Sequence, residues 1–120
     1  VLTTPGNFQR ISHKVKKMEL NYVQISYKTN KILDVAALIS KLNLIITPDT
    51  SIAHIASAFN KPVVTIHENN QDSYQLFAPI SQLNRTVFSE SKDSLNGFSL
   101  NLLLSYAFEL INIQKKRNYE

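Results

Sequence analysis

Cysteine is absent, so neither a disulfide nor thiolate-based redox or metal chemistry can be built from these 120 residues. That suits a reducing compartment. No apolar run approaches the roughly 18 residues of a membrane span, and no charged-then-apolar leader opens the sequence, so a soluble chain is expected. The three histidines, His13, His54 and His67, lack the short spacings that gather metal ligands, and no metal site is expected. The glycine-flanked nucleophile elbow is missing too, which removes Ser51, His54 and Asp49 as a hydrolase triad. There are no internal repeats and no low-complexity tracts. With no initiating methionine and no clear strand start at Val1, the chain is expected to be an internal piece of a longer protein.

What is present is ordinary for a globular chain, with 43% apolar and 18% charged residues, enough for a single domain with one modest core. The net charge of +4 gathers in two places, His13-Lys14-Val15-Lys16-Lys17 and Lys115-Lys116-Arg117. Such clusters are solvated helix ends or, functionally, attractors of anionic lipid headgroups and phosphorylated sugars. Neither is interleaved with aromatics, and neither carries a nucleic-acid reading motif, so nucleic acid is not an expected partner.

Periodicity organises the rest. Residues 8 to 18 read as the end of a helix or a loop, and Tyr22 to Tyr27 alternate as a strand does. After a polar turn at Lys28 to Lys31, Asp34 is expected to cap a helix whose Val35, Leu38, Ile39 and Leu42 share a face. Strands are expected at Leu44 to Thr47 and Val63 to Ile66, with a helix between them over Ser51 to Phe59 and a stop at Asn60-Lys61-Pro62. This β-α-β-α-β order implies a parallel sheet with right-handed crossovers. Beyond it, Glu68 to Ser73 reads as a polar loop and Tyr74 to Leu83 as irregular, since Pro79 opposes a long helix. Thr86 to Ser89 forms a short last strand. A final helix over about 99–117 carries one stripe of Leu100, Leu103, Leu104, Ala107, Phe108 and Ile111 and a second of Leu102, Tyr106, Leu110 and Ile113, and is expected to be buried on more than one side.

The junction from Ile45 to Phe59 carries the chemistry. An apolar strand ends at Pro48, which has no amide to continue a ladder, and Ile52, Ile55, Ala56 and Phe59 then line one helical face. Asp49, Thr50 or Ser51 can serve as the N-cap. Amides and the positive end of the helix dipole there point out of the carboxyl edge of the sheet, which suits a diphosphate. Thr50 and Ser51 can donate hydroxyl and amide hydrogens to phosphate oxygens, with capping alone as the plain alternative. A carboxylate beside phosphates is repelled, so Asp49 is better placed to accept hydrogen bonds from sugar hydroxyls, or simply to cap. His54, one turn on, can reach phosphate or sugar, or serve as a hydrogen-bonded structural residue. His67 and Glu68 close a strand at the same edge and can touch base or ribose.

Those residues also carry a resemblance. The run Asp34-Val35-Ala36-Ala37-Leu38-Ile39-Ser40, then Ile46-Thr47-Pro48-Asp49-Thr50-Ser51-Ile52-Ala53-His54-Ile55-Ala56-Ser57-Ala58, then Lys61-Pro62-Val63-Val64 resembles the family 9 glycosyltransferases, the ADP-heptose:lipopolysaccharide heptosyltransferases and their relatives. Ser51 stands where that family most often has glycine, and Ile66-His67-Glu68-Asn69-Asn70 stands where many members read Phe-Gly-Pro-Thr. The resemblance implies a Rossmann-like parallel sheet with flanking helices, the later part of the C-terminal, nucleotide-sugar-binding domain of a GT-B fold, spanning 1–120. It implies an inverting transfer of heptose from ADP-heptose to a Kdo-containing lipid or lipopolysaccharide core sugar without a metal or other cofactor. Asp49, Thr50, Ser51 and His54 are then donor-binding, with His67 and Glu68 as further donor contacts. The general base would lie in the other domain, leaving no catalytic residue and no transfer by this piece alone. The location implied is cytoplasmic, peripheral to the inner membrane. Two alternatives stay open: a non-catalytic Rossmann-like module that binds a nucleotide or a partner, and a GT-B enzyme using another nucleotide sugar such as a UDP-sugar.

Overall fold

Three short runs rich in β-branched residues become strands β1 (Ile45–Pro48), β2 (Val63–His67) and β3 (Asn84–Phe88). They form a parallel sheet in the order β1-β2-β3, in a computed structural model that describes residues 1–119. The chain divides into two units, Val1–Ala36 and the stretch from Ala37 onward.

In the first unit a 3₁₀ turn at Pro5–Asn7 leads into α1 (Phe8–Lys17), which places Phe8, Ile11 and Val15 on one side and Arg10, Lys14 and Lys17 on the other. No α1 residue is fully buried. The strand expected at Tyr22 to Tyr27 does not form. Alternation alone does not make a strand, because the backbone needs a ladder. Here the extended segment meets the first residue instead, through the Val1 amino group donating to Gln24 O (2.6 Å) and Ser26 N donating to Val1 O (2.8 Å). Helix α2 (Ile32–Lys41) starts two residues before Asp34. Asp34 is therefore not the N-cap. Its carboxylate reaches back from the first turn to accept from Lys31 N (3.2 Å) and Asn30 N (3.4 Å), the reciprocal half of a capping box.

The second unit holds the sheet. Side chains alternate across it, so Ile45, Thr47, Val63 and Thr65 face α3 (Ser51–Ala58), whose Ala53 and Ala56 are fully buried and let the helix sit close on β1 and β2. On the opposite face Val64 and Val87 pack with Leu103, Ala107 and Leu110 of α5 (Leu100–Asn118). Helix α5 covers β2 and β3, and Arg85 of β3 donates from Nε to Glu109 Oε2 (3.2 Å) to tie the two. Parallel strands covered by helices on both faces give the Rossmann-like α/β arrangement implied by the sequence.

Three expectations change. Residues 71–77 form a short helix, α4 (Gln71–Phe77), with the Asn70 side chain accepting from Ser73 N (3.2 Å) as its cap. Pro79 limits the helix to two turns without preventing it. Burial of α5 is narrower than its two stripes suggest: Leu103, Ala107 and Leu110 are buried, while Leu100, Leu104 and Phe108 are exposed, because three strands are too few to cover a wide face. The last strand begins at Asn84, two residues early, and ends at Phe88.

The stop after α3 is a Schellman motif. Asn60 adopts φ +51°, its N–H donates to Ser57 O (2.9 Å), and Lys61 N donates to Ala56 O (2.9 Å). The turn re-aims the chain into β2.

Candidate functional site

All three strands run the same way, so the chain leaving β1 at Asp49, β2 at Glu68 and β3 at Ser89 opens onto one rim. The register pairs Pro48 with Ile66, which makes Asp49 and His67 neighbours across the strands; Asp49 N donates to Ile66 O (3.1 Å). A cleft of about 160 Å³ sits at this rim, lined by Pro48, Asp49, His67, Glu68, Ser73 and Leu95.

Of the three N-cap candidates, Thr50 takes the position. Its extended backbone (φ −144°, ψ 173°) precedes α3, and its Oγ1 accepts from Ile52 N (3.3 Å). The same hydroxyl shares a hydrogen bond with Thr47 Oγ1 (3.2 Å), and Ala53 N donates to Thr50 O (3.0 Å). Two of the first-turn amides are thus taken up by Thr50 itself. Ser51, at the first helical position, is exposed. Among the described residues β1 lies at the edge of the sheet rather than at its centre.

His54 lies one turn further along α3, exposed, with its ring 6.4 Å from that of Phe77 and tilted by 68°. Thr50, Ser51 and His54 stand on α3 outside the cleft lining, whereas Asp49, His67 and Glu68 are inside it. Glu68 is exposed.

His67 lies deeper than the other rim residues. Its residue surface is only 2% exposed, and the ring is held edge-on by Tyr74 (5.1 Å, 86°) and lies 6.5 Å from Phe88. Nδ1 stands 3.5 Å from Asp49 Oδ2, while Nε2 is buried without a partner. Burial lowers the imidazole pKa from its ordinary 6.5, against the upward pull of Asp49 and Glu68, with His54 adding a smaller downward push.

Sequence reasoning missed the residues that hold this ring. Tyr74 donates to or accepts from Thr86 Oγ1 (3.2 Å), which in turn bonds Thr65 Oγ1 (3.0 Å) across the paired strands. The available signal was Asn70 as a cap followed by Tyr74 and Phe77 at helical spacing. Leu95 arrives on the loop after β3, which is tied down by Ser89 Oγ donating to Ser91 O (2.8 Å) and Ser94 O (2.7 Å), and by Asn69 N donating to Ser91 O (2.9 Å). Among the described residues no three His, Cys, Asp or Glu side chains are grouped so as to hold a metal ion.

The arrangement offers a capped helix start with an anion-favouring dipole, a carboxylate beside it, and a small cleft on the far side of that carboxylate, toward β2. The family model described as glycosyltransferase family 9 (heptosyltransferase) matches residues 6–99. No curated protein and no solved structure matches the chain.

Proposed function

Because this chain belongs to glycosyltransferase family 9, a family of sugar-transferring enzymes, we propose that it binds the nucleotide-sugar donor at the start of α3. The observation that carries the reading is the Thr50-capped helix start at the carboxyl rim, immediately after the Asp49 carboxylate. Backbone amides and hydroxyls of Thr50 and Ser51 suit the diphosphate, on which negative charge gathers as the glycosidic bond breaks. Donors fixed in place before that moment favour the transition state over the ground state. Asp49 accepts from sugar hydroxyls rather than meeting phosphate. His54, exposed one turn on, reaches the same diphosphate. Glu68, exposed in the cleft lining, takes the ribose side.

The donor in this reading is ADP-heptose and the acceptor a lipopolysaccharide core or lipid-linked sugar, on the cytoplasmic side of the inner membrane. The charge map supports a lipid-side acceptor. Six of the 13 Lys and Arg but only two of the 9 Asp and Glu fall in residues 1–36, so the whole surplus of four lies there. Contact with an anionic membrane surface follows from it.

Calorimetric titration with ADP-heptose, ADP and a UDP-sugar tests the donor. The expected result is ADP-selective binding that weakens at least about tenfold in the Thr50→Ala, Ser51→Ala double variant, since each lost hydrogen bond to a charged group is worth roughly 1.5–3 kcal/mol. Loss of the cap also costs about 1 kcal/mol of stability, so binding is measured well below the melting transition. Equal indifference to all three ligands refutes the donor reading and leaves a non-catalytic module, and preference for the UDP-sugar reassigns the nucleotide.

A further inference from the structure

His67 Nε2 is a buried ring nitrogen without a partner, and the ring's other nitrogen faces a carboxylate. These two facts fix the proton. If Nε2 carried it, a buried N–H would have no acceptor and the Nδ1 lone pair would oppose Asp49 Oδ2; both are unfavourable. With the proton on Nδ1, the N–H faces the carboxylate and only an acceptor is left unsatisfied. Tyr74 packs edge-on against the ring at 5.1 Å, and Phe88 lies 6.5 Å from it.

We infer that His67 is a positioning residue: its Nδ1–H holds the Asp49 carboxylate at the rim, leaving that group's remaining lone pairs for a hydroxyl of the sugar on a bound nucleotide sugar. The identity of the ligand rests on the proposed donor reading, whereas the His67–Asp49 pairing does not. Asp49 is itself suited to this division of labour, because its side chain is 28% exposed above a histidine side chain only 3% exposed. At 3.5 Å the pair is longer than a strong hydrogen bond and has room to tighten when a ligand polarises the carboxylate. The charged and titratable groups facing His67 are Asp49 from the β1–α3 turn, Glu68 after β2, His54 from α3 and the Tyr74 phenol from α4. Of these groups, Asp49 places its Oδ2 3.5 Å from Nδ1.

Nitrogen-15 NMR of the histidine rings in the whole chain, paired with calorimetry using ADP-heptose and ADP, tests this. The expected spectrum shows His67 as the Nδ1–H tautomer, with that preference lost in Asp49→Ala. An Nε2–H ring, or a tautomer unchanged by Asp49→Ala, overturns the pairing. In the binding arm His67→Phe, which preserves an aromatic ring between Tyr74 and Phe88, lowers the preference for ADP-heptose over ADP about tenfold, the worth of one charge-assisted hydrogen bond. His67→Asn, whose amide N–H replaces Nδ1–H, restores much of it. A preference unchanged in His67→Phe overturns the positioning role. Failure of the wild-type chain to bind either nucleotide instead overturns the donor reading, and the tautomer result still decides the pairing.

Discussion

A buried histidine couples the folded state to pH. The folded-state pKa of His67 lies below the ordinary 6.5, chiefly because burial disfavours the cation. The unfolded chain therefore binds more protons than the native one as pH falls below that value. Stability from this group is fully present above about pH 6.5 and is lost as pH drops through the lowered native pKa. Urea denaturation between pH 7.5 and about 5 is expected to show this decline. His67→Phe flattens the His67 part of the slope without emptying the space between Tyr74 and Phe88. An identical slope in wild type and variant would show that other groups set the acid limit. The variant is expected to be at least as stable as wild type at low pH, because it removes a buried nitrogen that has no partner.

Among the elements, α5 separates what a hydrophobic pattern says from what a fold can use. Its two apolar stripes are plain in the sequence, yet only the line through Leu103, Ala107 and Leu110 meets the sheet. Leu110→Ala is expected to cost roughly 2–5 kcal/mol by leaving a cavity under β2 and β3, whereas Phe108→Ala, at a position 64% exposed, should stay within about 0.5 kcal/mol. Denaturation midpoints of the two variants check this, and equal losses would mean that the outer stripe is covered in solution. Strands β1 and β2 were legible because each is a β-branched run bounded by proline or polar residues, and α3 because apolar spacing begins right after a cap. Other features depend on partners that a one-dimensional pattern does not name. Tyr22 to Tyr27 alternates like a strand but finds Val1 instead of a ladder. Helix α4 was hidden because its stabilising contacts, Tyr74 with Thr86 and with His67, come from strands elsewhere in the chain. For the same reason the residues at the rim could be named individually, but the Asp49–His67 pairing could not. It depends on Pro48 lying opposite Ile66, a register that only the assembled sheet sets.

Across the whole molecule the uneven charge distribution separates two explanations of the basic clusters. Lys115, Lys116 and Arg117 occupy the last turn of α5, where cations complement the negative end of the helix dipole, and the chain from residue 37 onward has seven basic and seven acidic residues. That cluster has a structural reason to exist. The α1 cluster has more: Lys14, Lys16 and Lys17 also close their helix, but they sit in a segment with six basic and only two acidic residues, and Arg10 joins Lys14 and Lys17 on the side opposite Phe8, Ile11 and Val15. Because Arg10, Lys14 and Lys17 lie opposite the apolar residues of α1, attraction to an anionic surface would be electrostatic, without insertion of the apolar side. It should therefore be strongly sensitive to salt, fading as the Debye length shrinks from roughly 10 Å at 0.1 M to about 3 Å at 1 M. Co-sedimentation with phosphatidylcholine vesicles, with and without phosphatidylglycerol, is expected to show binding only to the anionic vesicles and release at high salt. Replacing Lys14, Lys16 and Lys17 by Gln should weaken that binding about a hundredfold, at about 1 kcal/mol per cation near the surface. The same change at Lys115, Lys116 and Arg117 should matter far less. Equal effects from the two triple variants would assign the attraction to overall charge, and binding to neutral vesicles would assign it to apolar contact; either result removes the support that the charge map lends to a lipid-linked acceptor.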